Sequence, residues 1–146
     1  MKLLWIFIAF VAGCFLPIQA GLNAKMGKAL QSPVHASMIS FIVGVLTLIA
    51  YIFLTKEQVS WAGIRTAPAY VWIAGALGAF YVTAMILAFP KIGPALTFGL
   101  VVGGQMLMAV ILDHFNLLVS QQHSINILRV LGILLIVAGV IIIRKF

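Results

Sequence analysis

Long apolar runs dominate this sequence and leave one class of fold open to it. Of its 146 residues, 64% are hydrophobic and only 8% are charged. A soluble domain carries roughly 25% charged residues, and here the shortage extends over the whole chain. A helix needs about 20 mostly apolar residues to cross the hydrocarbon core of a membrane. The sequence therefore predicts an all-α, polytopic membrane helix bundle.

Five segments meet that length requirement. We expect spans at about 3–20, 33–54, 68–89, 94–118 and 125–143, in a single transmembrane domain covering 1–146. Ser32-Pro33 is typical of a helix start, because serine caps the first turn and proline lacks only an N–H that has no helical partner there. Pro90 is expected to close the third span, and Gly93-Pro94 to open the fourth.

The positive charge points to lipid rather than to nucleic acid. The net charge is +7, but the cations stand at the ends of apolar runs. At those positions they meet anionic headgroups and fix orientation. We therefore expect membrane lipid as a partner and no nucleic acid.

The distribution of cations between the two membrane sides is nearly even. With a cytoplasmic N-terminus, that side holds four, Lys2, Lys56, Arg65 and Arg129, and the other side holds five, Lys25, Lys28, Lys91, Arg144 and Lys145. A protein with one orientation usually shows a clear excess of Lys and Arg inside. Either a few of these charges still decide the orientation, or the chain inserts both ways and pairs with an inverted copy, as in inverted-repeat transporters.

Pairing would also fit the size of the bundle, since five helices barely surround a solute-sized cavity whereas ten can. Small residues allow helices to approach closely, within a chain or between chains. The candidates for dimer or helix packing are Gly75, Gly78, Gly99, Gly103, Gly132 and Gly139.

Two amides in the first span are the leading candidates for a substrate site. Gln19 and Asn23 are four residues apart and share one helix face. Pro17 just before them removes a backbone hydrogen bond and is a candidate hinge. Polar side chains in hydrocarbon usually face the protein interior or a water-filled path. The alternative is that the amides only bond neighbouring helices.

Two further residues could line the same site. Gln105 follows Gly103-Gly104 in the fourth span, where the missing side chains would let a backbone or a solute come close. Tyr81 lies deep in the third span and either lines a cavity or packs in the core.

Asp113 is the only carboxylate within an apolar span. It could take up protons or bind a cation and so couple transport. Alternatively, it forms a structural ion pair with Arg129, at the start of the fifth span and on the same membrane side.

No enzyme is predicted. The histidines and the single cysteine, Cys14, are scattered over different segments, so we expect no metal site. Neither a phosphate-binding loop nor a catalytic triad occurs, so we expect no cofactor.

Four stretches resemble a known transporter family. They are Gly132-Ile-Leu-Leu-Ile-Val-Ala-Gly139-Val-Ile-Ile-Ile, Pro17-Ile-Gln19-Ala-Gly-Leu-Asn23-Ala-Lys25, Ser32-Pro33 with Ser40-Phe41-Ile-Val-Gly44, and Gly99-Leu-Val-Val-Gly103-Gly104-Gln105 running to Asp113-His114-Phe115. The first resembles the terminal helix of the drug/metabolite transporter superfamily, which includes the small multidrug resistance transporters. Together they resemble its five-helix branch, the YdcZ-type inner-membrane exporters.

The resemblance implies a multi-pass protein of the bacterial inner membrane with an exporter-like role. In that family single dual-topology genes, paired genes of opposite topology and fused genes occur, which agrees with the charge count. The small multidrug resistance relatives use a glutamate in the first helix, and this helix has no carboxylate. That departure puts cation exchange by the same route in doubt.

These observations favour a secondary transporter subunit that exports small polar or amphiphilic metabolites by alternating access. We expect it to act as an antiparallel dual-topology dimer with an identical or paralogous subunit. A small dual-topology ion channel and an accessory membrane subunit without transport are the alternatives.

The charge balance predicts that orientation can be forced. Adding two or three lysines on one side should give a single orientation, since Lys and Arg near span ends set topology. A C-terminal reporter should read both sides in the native protein and one side in each variant. Forced variants should be inactive alone and recover when opposite versions are co-expressed. A native signal from one side only contradicts dual insertion.

Overall fold

The computed structural model describes residues 1–118 and 122–146, and within them every regular element is a helix. The elements are α1 (Lys2–Ala29), α2 (Pro33–Thr55), the short α3 (Ala62–Thr66), a 3₁₀ turn (Ala69–Trp72), α4 (Ile73–Ile92), α5 (Pro94–His114) and α6 (Ile127–Lys145). Five segments in the described chain are long and apolar enough to cross a membrane, the third joining the 3₁₀ turn to α4. The predicted five-span helical fold is confirmed.

The first two spans form a hairpin with a three-residue turn. Gln31 takes a left-handed backbone with φ of 51°. Its N–H donates to the carbonyl of Lys28 at 3.3 Å, and that of Ser32 donates to the carbonyl of Gly27 at 3.1 Å. This Schellman pattern satisfies carbonyls that the helix end leaves unpaired. Ser32 then caps α2, as predicted, by accepting the backbone N–H of His35.

The fourth span ends four residues earlier than the expected residue 118. The same C-terminal pattern stops it: Asn116 has φ of 53°, and the N–H of Leu117 donates to the carbonyl of Leu112 at 2.9 Å. Asparagine adopts the left-handed region more readily than most residues. The expected loop at 119–124 lies partly outside the described residues.

The prediction that Pro90 closes the third span is wrong. Pro90 lies inside α4, which continues to Ile92. The missing N–H and the ring of proline disturb the turn before it rather than the residues after it, so a final half-turn can follow Pro90. The helix ends instead at Gly93, whose φ of +77° glycine adopts readily. Pro94 then occupies the first position of α5, as predicted.

The described chain divides into two compact units, Met1–Pro90 and Lys91–Phe146. In the first unit α1 packs against α2, and small residues bring α4 into contact with both. A Cβ on Gly27 would lie 2.7 Å from Cγ2 of Ile86 and 3.7 Å from Cβ of Ala36. Ile86 and Ala36 are among the few residues of the described chain that are fully buried.

A hydroxyl pair fixes α2 to α4 next to this contact. The Oγ of Ser37 and the Oγ1 of Thr83 are 2.8 Å apart. Each hydroxyl is also close to a carbonyl one turn back on its own helix, Ser37 to Pro33 at 3.0 Å and Thr83 to Ala79 at 2.8 Å. Hydrogen bonds between helices in membranes contribute about 0.6 kcal/mol on average, so the pair sets register more than it adds stability.

In the second unit α5 packs against α6. The tightest point is Gly99, where an added Cβ would lie 2.8 Å from a methyl of Val140. Gly99 therefore serves packing within the chain. Gly78 does the same in the first unit, where an added Cβ would lie 3.4 Å from the ring of Phe41. The remaining predicted packing glycines have no described atom within 4 Å of an added Cβ: Gly75, Gly103, Gly132 and Gly139.

The contact at Gly27 predicts a stability difference between two glycines of α1. Gly27→Val should destabilise the protein by about 1–3 kcal/mol, the usual effect of overpacking, because Ile86 leaves no room. Gly13→Val is the matched control, since nothing lies within 4 Å of its Cβ position. Thermal unfolding in detergent measures both. Equal melting temperatures would contradict the packing described for Gly27.

Candidate functional site

Three of the predicted substrate residues meet in the first unit. Gln19 and Asn23 lie on α1 and Tyr81 lies on α4, and all three line one narrow cleft. The rest of its wall is apolar, made by Leu16, Ala20, Val82 and Met85. The void measures about 10 Å³, close to the smallest space that holds one water molecule.

The hydroxyl of Tyr81 is the unusual group in this cleft. Its oxygen is buried and has no hydrogen-bond partner among the described residues. A buried polar group without a partner costs about 1–3 kcal/mol. The role of Tyr81 in a substrate site stays a prediction.

A wider cavity of about 500 Å³ opens along α1. Gln19 and Asn23 contribute to its wall, together with Ser40 from α2 and apolar residues of α1. No side-chain hydrogen bond is formed within the described chain by Gln19, Asn23 or Ser40. Ser40 is not among the residues that the sequence predicts for the site. The available signal is its polarity inside an apolar span.

Pro17 lies inside α1 without interrupting it, since the helix continues from Lys2 to Ala29. Proline has no N–H to donate to the carbonyl of Gly13, one turn earlier. One hydrogen bond is thus missing from the ladder half a turn before Gln19. The hinge at Pro17 stays a prediction.

Gln105 belongs to the second unit, where it is exposed on α5. A shared site of Gln105 with the α1 amides stays a prediction. Asp113 and Arg129 are in the same unit and form an ion pair, with Nη2 of Arg129 2.6 Å from Oδ2 of Asp113. Their side chains are 24% and 29% exposed, Asp113 and Arg129 respectively.

The ion pair is the centre of a small network joining the end of α5 to the start of α6. Nη1 of Arg129 donates to the carbonyl of His123 at 2.9 Å, and its backbone N–H donates to Oδ1 of Asn126 at 2.9 Å. The amide of Gln122 donates to the carbonyl of His114 at 2.8 Å. Arg129, the partner of Asp113, is thus itself fixed by hydrogen bonds to His123 and Asn126. This arrangement is typical of a structural ion pair.

The comparisons with known proteins agree with this architecture. The family model described as "Putative inner membrane exporter, YdcZ" matches residues 4–142. The chain belongs to the YdcZ family. It is also similar to the inner membrane protein YdcZ of Escherichia coli K12, with 24% identity over 92% of this chain and 91% of the relative. No solved structure matches it.

Membership in the YdcZ family confirms the predicted resemblance. It places the chain in the inner membrane as a multi-pass protein, in a family of exporters rather than of enzymes. Among the described residues, no three His, Cys, Asp or Glu side chains are grouped so that they could hold a metal ion.

The unpartnered hydroxyl predicts opposite effects of one substitution in this YdcZ-family chain. Tyr81→Phe should leave the ligand-free protein as stable as the native one or more so, because it removes a buried polar atom that has no partner. The same change should reduce the thermal stabilisation that a bound solute produces. Melting curves with and without solute measure both. Strong destabilisation of the ligand-free protein would contradict an unpartnered hydroxyl.

The ion pair predicts a contrast between two variants of the second unit. Asp113→Asn should lower the folded yield more than ligand affinity, because a charged hydrogen bond of about 1.5–3 kcal/mol is lost. Gln105→Ala should do the reverse. Gel filtration and ligand-dependent thermal shift separate the two effects. If Asp113→Asn folds normally but transport loses its pH dependence, Asp113 is the coupling residue instead.

Proposed function

We propose that this chain is a subunit of a secondary exporter of small polar or amphiphilic solutes. The observation that carries the proposal is the cleft between α1 and α4, which Gln19, Asn23 and Tyr81 line together and where the buried hydroxyl of Tyr81 has no hydrogen-bond partner among the described residues. Polar groups within membrane spans are costly and usually mark the path of a solute. The description of the YdcZ family as exporters supports export as the direction of transport.

The cleft supports recognition of solutes by neutral hydrogen bonds. The amides offer donors and acceptors, and the phenol offers one of each. No lining residue of the cleft carries a charge. The lone carboxylate of the spans is engaged with Arg129 at 2.6 Å. Recognition of a solute by the cleft residues therefore needs no ionised side chain.

The proposed working form is an antiparallel dimer that changes access by alternation. Its support is the near-equal distribution of cations, four against five, and the four glycines with open space at their Cβ positions. Helices approach closely at such positions. Pro17 would provide the bend near the amides, because the proline ring weakens the helix there.

Efflux from proteoliposomes tests the proposal without a substrate being chosen in advance. Vesicles containing the purified protein are loaded with a bacterial metabolite extract, and the solutes that leave are identified by mass spectrometry. The test variant is Asn23→Leu, which removes one amide of the cleft and keeps a side chain of similar size. Selective, saturable efflux that this variant reduces by tenfold or more is expected.

The other outcomes identify the rival functions. Unsaturable leakage of many small ions would show a channel. No protein-dependent efflux, from vesicles in which both orientations are present, would show an accessory subunit. Selective efflux unchanged by Asn23→Leu would place the solute path elsewhere.

A further inference from the structure

A third cavity of the first unit, of about 270 Å³, shares Gln19 and Ser40 with the cavity along α1. Its other walls are apolar and come from α2 and α4: Phe41, Gly44, Val45, Leu48 and Val82. This space is called the apolar chamber below. Two polar side chains line it as a rim, and its apolar walls are themselves partly exposed: Phe41 by 40%, Val45 by 53% and Leu48 by 62%.

Gly44 is the wall residue of the apolar chamber that has no side chain to occupy it. No described atom lies within 4 Å of the position its Cβ would take, so no close contact within the described part of the chain requires glycine there. Glycine is less favourable than alanine inside a helix. A side chain introduced at Gly44 would therefore take up part of this volume.

The rim can bind an uncharged polar group. Gln19 offers an amide with two donors and an acceptor, and Ser40 offers a hydroxyl that both donates and accepts. Neither forms a side-chain hydrogen bond within the described chain. The cavities that Gln19 borders have no charged lining residue. A carboxylate or ammonium would therefore lose its hydration without gaining a counterion.

The volume sets the scale of the apolar part. An apolar cavity of about 150 Å³ is enough to hold benzene, and the apolar chamber is nearly twice as large. A chain of several methylene groups or a substituted ring fits that space. A small hydrophilic solute would leave most of it empty.

We propose that the apolar chamber and its rim bind a neutral amphiphile, and that Gly44 sets the length of its apolar tail. The head is a group that both donates and accepts hydrogen bonds, such as a primary amide, held by Gln19 and Ser40. The tail lies against Phe41, Val45 and Leu48. This inference rests on the proposed export function and narrows its substrate class.

A series of aliphatic amides tests the tail compartment. Radiolabelled hexanamide is bound to bead-captured protein in lipid nanodiscs, and amides from propanamide to octanamide compete with it. Each amide partitions into the nanodisc lipid to the same extent whichever variant is present, so partition cancels when variants are compared. Competition should strengthen by up to about fourfold per methylene, the usual gain on burying one, until the chamber is full.

Three variants assign the effect to its residues. Gly44→Leu fills the chamber, so the gain per methylene should disappear. Ala50→Leu makes the same kind of change on α2 away from every cavity described here and should keep the native series. Ser40→Ala should weaken all amides by about two- to tenfold, the effect of one hydrogen bond, without changing the length dependence. If Gly44→Leu does not fold, Gly44→Ala should shorten the preferred tail by less.

Specific results overturn the inference. Hexanoate or hexylammonium competing as well as hexanamide would show that the head need not be neutral. Equal length dependence in the Gly44 variants and Ala50→Leu would place the tail elsewhere. Selective efflux of charged solutes, with no amide binding, would leave the export proposal standing and this inference refuted. Amide binding with the expected Gly44 effect, but without efflux of any solute, would support this inference and refute the export proposal.

Discussion

Hydrocarbon offers no hydrogen bonds, and the rest of this structure follows from that constraint. Every backbone group in the membrane must be satisfied within the protein, so the spans are helices. Their ends are closed by local partners such as Ser32 on α2 and Asn126 on α6. Side chains obey the same rule where Ser37 meets Thr83 and where Asp113 meets Arg129. The buried hydroxyl of Tyr81 stands out because it has no hydrogen-bond partner among the described residues.

The spans can be predicted from the sequence because length and hydropathy alone decide whether a segment crosses a membrane. Helix ends depend on finer chemistry. The turn after α1 uses a left-handed Gln31 and the end of α5 a left-handed Asn116, without the glycine that usually marks such ends. The prediction for Pro90 fails because proline disturbs the turn before it and leaves the following residues free to stay helical, whereas the positive φ of Gly93 stops α4.

The polar residues of the site are predictable in part. Gln19 and Asn23 can be identified because amides are costly in hydrocarbon and their spacing places them on one face. Ser40 escapes prediction because a serine in a membrane helix ordinarily bonds a carbonyl of its own helix, as Ser37 does with Pro33 at 3.0 Å. Which hydroxyl stays unpartnered depends on the neighbouring helix. For the same reason the sequence cannot separate Gly78 and Gly99, which pack within the chain, from the open glycines.

In the proposed exporter, the face of α1 with Gln19 and Asn23 borders a path that water enters. Cys14 is the only cysteine, so a Cys14→Ser background allows single cysteines to be tested with a membrane-impermeant maleimide in sealed vesicles. Asn23→Cys should be labelled, and a transported solute should slow the labelling. Leu77→Cys on α4 is the comparison, since Leu77 is 63% exposed and lines none of the cavities. Leu77→Cys should stay unlabelled, because lipid keeps the reagent away from it. Equal resistance of Asn23→Cys and Leu77→Cys to labelling would contradict a water-filled path beside α1.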